Sequence, residues 1–310
     1  MTEYSIFKNL CNHGMVSFTN SAITREWYNT FVTKGLDVTI SENSILLNAQ
    51  LVALDKEKIT HFLPQSSKNI SKLLKIIYQT TSTNTEIRNT DSVQILVAEF
   101  QSSGKGRNNR NWVSPIGHNI YLSLKFTNFD NDNISFLPVY LSLLLAESLT
   151  NLGLNDVSIK WPNDLYISGN KVSGSILEFY TSNISNTIII GIGINVTMPV
   201  YDHAEIDQPY TSISKHGDKL LTDRNYLLAT ILPSLYTSIN TYQPSKIPEY
   251  LKRFDTFNYL KGKDLLIKER NSEYLASYKS INYDGSLQVI KDNQLVNLYA
   301  ADVSVRPDNY

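Results

Sequence analysis

Cysteine is almost missing from this 310-residue chain. Cys11 stands alone, which excludes an intrachain disulfide framework and a multi-cysteine zinc site. No sign of charge prevails either: 28 Lys plus Arg face 29 Asp plus Glu, a formal charge of −1. Such a chain is no general electrostatic partner for nucleic acid, although a local basic patch can still hold an anion. Long apolar runs are absent too. The longest lies around Phe136–Ala146, short of the ~20 residues of a membrane span. The N-terminus, MTEYSIFKNL, lacks the basic and apolar regions of a secretory signal, so a cytoplasmic protein with no membrane partner is expected. There is no Walker A loop, no H-E-x-x-H and no triad or paired-carboxylate motif. The five histidines, His13, His61, His118, His203 and His216, are scattered, and a lone histidine is more often structural than catalytic.

What is present is 42% apolar residue, enough for a globular fold with a sizeable core. The expected class is α+β, in three modules with boundaries 1–66, 67–260 and 261–310. In the first, Ile6, Phe7, Leu10 and Cys11 recur at helical spacing before Gly14, and Ile23, Trp27 and Phe31 repeat the pattern before Gly35. Leu36, Val38 and Ile40 then alternate, residues 41–44 turn, and Ile45-Leu46-Leu47 returns as a hairpin. Helices followed by a hairpin suggest a winged-helix-like module, with Pro64–Ser67 as linker. In the second module, residues 96–98 and 120–126 read as strands. Ser135–Asn151 reads as a buried helix capped by Ser135, and Ile188–Val196 as a central strand. Thr222 is expected to cap a helix that runs to about Tyr242 with Pro233 inside it, and Pro248 to open a last one. The third module holds four or five strand-length segments around an Asp284-Gly285 turn, the pattern of a small β-barrel.

Four strings can carry chemistry. Gln101–Trp112 follows a strand and contains Gly104, Lys105, Gly106, Arg107 and Arg110. From Phe100 to Phe129 there is no acidic residue, and with Lys125 the stretch carries +4. Glycines let backbone N–H groups approach an anion, and arginine adds a fork for phosphate or carboxylate. Lys160-Trp161-Pro162-Asn163-Asp164-Leu165 forms a turn, and residues 168–170 throw Lys171 onto the next strand, ahead of Gly174. Ser82-Thr83-Asn84 stands where ordinary helix caps stand. Gly191-Ile192-Gly193-Ile194-Asn195 ends an apolar strand with a polar amide, for which a ligand edge or a neighbouring backbone would serve as partner.

In this order the strings resemble biotin protein ligase, over roughly residues 68–308. The resemblance implies a mixed-sheet, class II synthetase-like catalytic core and a C-terminal SH3-like barrel. It implies that biotin and ATP form biotinyl-5′-AMP and pyrophosphate, with Mg²⁺ accompanying ATP. A lysine of the biotin carboxyl-carrier domain of acetyl-CoA carboxylase then attacks the acyl carbon. By position, Ser82, Thr83, Asn84, Gln101, Gly104, Lys105, Gly106, Lys171 and Gly174 would bind biotin. Lys105, Gly106, Arg107, Arg110, Trp112, Asn163, Lys171 and Asn195 would serve ATP. Lys171 and Arg107 would be catalytic, and Asp164 would hold the metal. Two departures from the family pattern stand in the loop: Lys105 replaces an arginine and loses its fork, and Asn109 occupies a common glycine position.

Bifunctional members of that family also repress biotin-synthesis genes through a winged helix. Here only Thr19–Lys34 lie between the first strand and the wing, short for two helices and a turn. Residues 1–66 carry +5 and −6, a poor phosphate-binding surface, so operator DNA is the less favoured partner, and a biotin-responsive repressor, in addition to or instead of a ligase, is the alternative reading. A homodimer through an open sheet edge is compatible with the sequence.

Overall fold

The computed structural model describes residues 1–107, 110–129, 134–181, 185–200, 206, 208–269, 272–300 and 303–307. By contact the chain divides into two compact units, Met1–Lys125 with Ile189–Pro233, and Phe126–Ile188 with Ser234–Tyr310.

In the first unit, α1 (Glu3–His13) opens with Thr2 accepting from Ser5 N at 3.3 Å and closes at Gly14, whose N–H donates to Leu10 O. After β1 (Met15–Ser17), α2 (Ser21–Thr33) is capped by Asn20, whose Oδ1 accepts from Ile23 N at 3.0 Å. β2 (Val38–Ser41) and β3 (Ser44–Leu47) form the expected hairpin, giving an antiparallel sheet ordered β1-β3-β2. The buried Ile6, Phe7, Leu10, Phe31 and Ile45 share one core with Leu51, Ala53 and Ile116, and Tyr78 and Phe100 pack against it. The first 66 residues therefore do not bury their apolar faces alone. At about 1.5–3 kcal/mol for each large side chain, this shared core ties them firmly to the rest of the first unit.

Two short helices, α3 (Lys56–Phe62) and α4 (Ile70–Leu73), were not anticipated from the sequence. β4 (Leu74–Thr80) then pairs parallel with β5 (Ile95–Gln101), with α5 (Thr83–Arg88) between them. β5 pairs antiparallel with β6 (Ile120–Thr127), so the sheet is mixed. The strands of this unit lie in the order β4, β5, β6, β10, the last being Asn186–Ile194.

In the second unit, α6 (Leu137–Asn151) is buried at eleven of its fifteen positions. Its first turn differs from expectation. Phe136 holds the cap position and makes no side-chain bond, because Ser135 lies inside a preceding 3-10 turn. With that turn the apolar stretch reaches 18 residues, longer than read from sequence, and passes for a membrane span on length and composition alone. Since 67% of it is buried inside the fold, it has the burial of a core helix. β7 (Val157–Lys160), β8 (Asp164–Ile167) and β9 (Asn170–Thr181) form an antiparallel meander in the order β9, β8, β7. The helix α7 (Arg224–Asn240) starts in the first unit and passes to the second after its Pro233. Its cap also departs from expectation: Thr222 Oγ1 turns back to Lys219 O, and Asp223 Oδ1 accepts from Asn225 N at 2.9 Å. α8 (Ile247–Phe257) carries Pro248 in its first turn, and its Tyr250 ring lies 4.2 Å from that of Tyr140 on α6.

The C-terminal strands β11 (Asp264–Lys268), β12 (Glu273–Ile281), β13 (Leu287–Lys291), β14 (Gln294–Leu298) and β15 (Ser304–Pro307) form one antiparallel sheet ordered β14-β13-β12-β11-β15. The turn at Asp284-Gly285 falls between β12 and β13 as expected, with Gly285 at φ +80°.

Candidate functional site

A buried polar network gathers at the carboxyl ends of β4 and β5 in the first unit. Ser82 occupies the cap position of α5 but makes no side-chain cap bond, so the ordinary cap role does not account for it. Thr83 donates to Gln101 Oε1 twice, from N at 2.8 Å and from Oγ1 at 3.1 Å. Gln101 Nε2 in turn donates to Ser114 Oγ at 3.1 Å. Ser123 Oγ on β6 lies 2.8 Å from Thr83 Oγ1 and 2.6 Å from Asn84 Oδ1, and its one proton serves one of them. Ser82, Thr83, Asn84 and Gln101 are all buried. So many polar side chains collected at strand ends, out of water, are more than helix capping requires. They form a lining of donors and acceptors held in fixed orientation.

Two glycines on β10 make room for this lining. A Cβ on Gly191 would stand 2.5 Å from Asn84 Oδ1, and one on Gly193 would stand 2.3 Å from the Trp112 ring. The groups that come close to this strand's backbone are thus two of the chain's own side chains, Asn84 and Trp112. Gly104 is equally confined, with Trp112 O 2.4 Å from where its Cβ would be.

The basic loop folds on itself. Gly106 N donates to Arg110 O at 2.7 Å, Trp112 N to Gly104 O at 2.8 Å, and Lys105 and Asn111 form an antiparallel bridge. The Gly106 N–H is thus committed inside the loop. An anion held in this conformation would take its contacts from other N–H groups and from the Lys105 and Arg107 side chains. Lys105 and Arg110 are exposed, and Arg107 and Trp112 half-buried. Asn109 lies outside the described residues. Lys125, counted in the +4 stretch, is a correction: its Nζ is buried and donates to Thr90 O at 2.5 Å, so three cations remain for an anion there.

Asn195 is also buried in the first unit, and its Nδ2 donates to Thr211 O at 3.1 Å. The neighbouring backbone, not an open edge, takes that donor.

The second unit holds the other motif. Trp161–Pro162 is a cis peptide. Asn163 is buried and its Nδ2 donates to Ser175 O, while Ser175 N donates to Asn163 O at 3.2 Å. Asp164 opens β8 opposite Gly174, which is buried. The turn at Ser168 and Gly169, both at positive φ, places Lys171 on β9 as expected. There Lys171 Nζ lies 2.8 Å from Asp164 Oδ2, in a partly buried salt bridge. Asp164, the residue expected to hold a metal, is thus paired with Lys171 in this structure. Among the described residues no group of three His, Cys, Asp or Glu is arranged to hold a metal ion.

Sequence reasoning missed Ser114 and Ser123, which complete the polar lining. The available signal was a serine inside the otherwise apolar run 120–124. It also missed the buried pair of Glu99 and Arg224, whose members lie 125 positions apart.

A mixed sheet with a buried polar lining at its strand ends, followed in the chain by a basic loop, is an α+β arrangement of donors, acceptors and cations suited to a polar ligand. The model of the Biotin/lipoate A/B protein ligase family matches residues 73–195. The bifunctional ligase/repressor BirA of Escherichia coli (strain K12) is 26% identical over 287 residues, covering 91% of this chain and 85% of its own. The biotin–[acetyl-CoA-carboxylase] ligase of Mycobacterium tuberculosis is 28% identical over 178 residues, 54% of this chain and 64% of its own. Among solved structures, the biotin protein ligase from Aquifex aeolicus in complex with biotin and ATP superposes with a TM-score of 0.66 at 23% identity, over 76% of this chain and 100% of that one, a likeness of fold. Residues 73–195 carry the match to the biotin/lipoate A/B protein ligase family, and the chain as a whole resembles biotin protein ligases in sequence and fold.

Proposed function

We propose that the protein is an ATP-dependent biotin protein ligase whose acceptor is a lysine of a carboxylase biotin carboxyl-carrier domain. The observation that carries this reading is the buried network of Thr83, Asn84, Gln101 and Ser123, which offers fixed donors and acceptors to a small polar ring system. A carboxylate oxygen of biotin attacks the α-phosphorus of ATP and pyrophosphate leaves. The carrier lysine amine then attacks the acyl carbon, loses a proton, and AMP leaves. The first step brings two anions together, so fixed cations and N–H donors dominate catalysis and no nucleophile on the enzyme is needed. Lys171 supplies the balancing charge, oriented by Asp164. Lys105 and Arg107 act on the phosphates and Trp112 covers the ligand. Asn163 and Asn195 stiffen the backbone on the nucleotide side, and Gly174 leaves space opposite Asp164. Mg²⁺ accompanying ATP would supply charge neutralisation at the phosphates, and Asp164 is the acidic residue of the motif that would hold it.

In this reading residues 67–260 are the class II synthetase-like catalytic domain, 261–310 an SH3-like domain, and 1–66 a degenerate winged-helix-like module. A single helix, α2, separates β1 from β2 in that module. Its net −1 charge favours a structural or interfacial role over operator binding. A cytoplasmic setting suits an ATP- and carrier-dependent reaction.

Incubation with ATP, Mg²⁺ and labelled biotin, with and without a carrier domain, tests the proposal. Biotin-dependent pyrophosphate release and label on the carrier lysine are expected; no biotin-dependent release would overturn it. A shift assay with biotinyl-AMP present tests the N-terminal reading, which a salt-sensitive, sequence-specific complex would refute.

A further inference from the structure

We infer that Trp161 and Gly285 are positioning residues for Lys171, and that through them the C-terminal sheet sets the height of that lysine on its strand. The inference rests on the ligase reading for its kinetic consequence and on geometry for the rest.

The indole N–H of buried Trp161 donates to Gly285 O at 2.8 Å, although 124 positions separate them. A buried indole needs such a partner, and this one comes from the turn between β12 and β13. That turn is rigid by its own bonds. Gly285 N donates to Asn282 O at 2.9 Å, and Ser286 N and Oγ both donate to Asp284 Oδ1, at 2.9 and 2.6 Å. It also sits flush on the backbone before α6. A Cβ at Gly285 would meet Ser135 O at 2.7 Å, at a φ of +80° that other residues rarely adopt. Only glycine lets the carbonyl reach the indole from there.

The residues after Trp161 carry the constraint across the hairpin. Asn163 is bonded to Ser175 in both directions, and Asp164 is bonded to Lys171. The ladder between β8 and β9 does not fix Lys171 by itself, because its register shifts between Leu165 and Tyr166. A bulge of this kind re-aims the residues beyond it, so the hairpin needs an outside anchor at each end. Trp161 is held at one end. At the other, Tyr166 pairs directly with Lys171 and stacks on Tyr259 at 5.0 Å, while Tyr259 N donates to Ile159 O at 2.9 Å. Both anchors come from the chain beyond α8.

The test uses full-length Trp161→Phe, which removes the N–H and keeps an aromatic ring, with Gly285→Ala and the double variant. Biotin affinity measured without ATP should fall less than kcat does, because Lys171 is one biotin contact among several and the polar lining of Thr83, Asn84 and Gln101 is unaltered. The kcat of biotin-dependent pyrophosphate release should fall about tenfold or more, as a misplaced reacting group costs rate. The double variant should be no slower than the slower single, since both act through one bond. Exchange of the Ser175 amide should quicken in each variant. If Trp161→Phe keeps the parent kcat and the parent exchange at Ser175 while its Tm drops, the bond merely attaches the sheet and the inference falls. Should Gly285→Ala fail to fold, Trp161→Phe decides alone. A parent without biotin-dependent release sinks the ligase reading; exchange at Ser175 then still supports the inference if quickened and overturns it if unchanged.

Discussion

Arg224 places its Nη2 2.6 Å from Glu99 Oε2, and neither side chain reaches solvent. The pair is the centre of a polar clasp. Arg224 also donates to Asn119 O and Val52 O, at 3.1 and 2.7 Å, and Glu99 Oε1 accepts from Leu54 N at 2.6 Å. Beside it Asn225 donates to Ala53 O at 3.0 Å and accepts from Asp55 N at 2.7 Å. The segment leaving the N-terminal module is therefore gripped by the strand that, two residues on, presents Gln101 to the polar lining.

Removing one partner of this pair should be severe. Arg224→Met leaves Glu99 buried and unpaired, and unfolding in urea should show a loss of about 3–5 kcal/mol. The double variant Glu99→Leu/Arg224→Met should be more stable than Arg224→Met, because the uncompensated charge is gone. A single variant within about 1 kcal/mol of the parent, on the scale of ordinary surface changes, would show that the clasp carries no strength.

The two glycines of β10 should separate ligand affinities. Gly193→Ala pushes into the Trp112 ring and should weaken nucleotide binding about tenfold, the size of a ~1.4 kcal/mol contact loss. Gly191→Ala displaces Asn84 and should weaken biotin binding by a similar factor. Calorimetric titration of both ligands against both variants checks this; equal losses for both ligands would contradict it.

His118 should make the fold acid-sensitive. Burial pulls its pKa from 6.5 down to about 4, although Nδ1 lies 2.9 Å from Thr197 O, a bond that favours the charged form. Its Nε2 has no hydrogen-bond partner among the described residues. The folded state thus binds this proton less readily than the unfolded chain does. The stability present above pH 6.5 is lost as pH falls towards 4, by up to roughly 3 kcal/mol. Urea midpoints at pH 7.5, 5.5 and 4.5 should fall more steeply in the parent than in His118→Gln; parallel slopes would refute the assignment.

Lys171→Ala should lower biotin-dependent pyrophosphate release by at least about a hundredfold, since removing a charge aimed at the reacting centre costs that order. Asp164→Asn, which keeps shape but loosens the amine, should fall between that variant and the parent. Near-parental release by Lys171→Ala would remove the residue from the mechanism.

Local signals made much of this protein legible before its structure. The spacing of Ile6, Phe7 and Leu10, the Gly14 stop, the hairpin at 41–44 and the Asp284-Gly285 turn all depend on neighbours in the chain, and each appears where read. The motif strings were legible for the same reason, as was the mixed α+β class. Caps were less secure. Ser135 and Asp223 show that whether a helix starts one or two residues later is settled by a preceding turn, which packing selects.

Other features belong to the tertiary structure alone. No local pattern says that Lys125 spends its charge on Thr90 O, that the Gly106 N–H is turned inward, or that Asp164 pairs with Lys171. Nor does one join Glu99 to Arg224, or Trp161 to Gly285. The elements, the glycines and the string of motifs could be read along the chain, because they follow from backbone preference and short-range periodicity. Which polar groups meet was a matter for the fold. A buried donor or acceptor must find a partner wherever the chain brings one, and that partner can stand more than a hundred residues away.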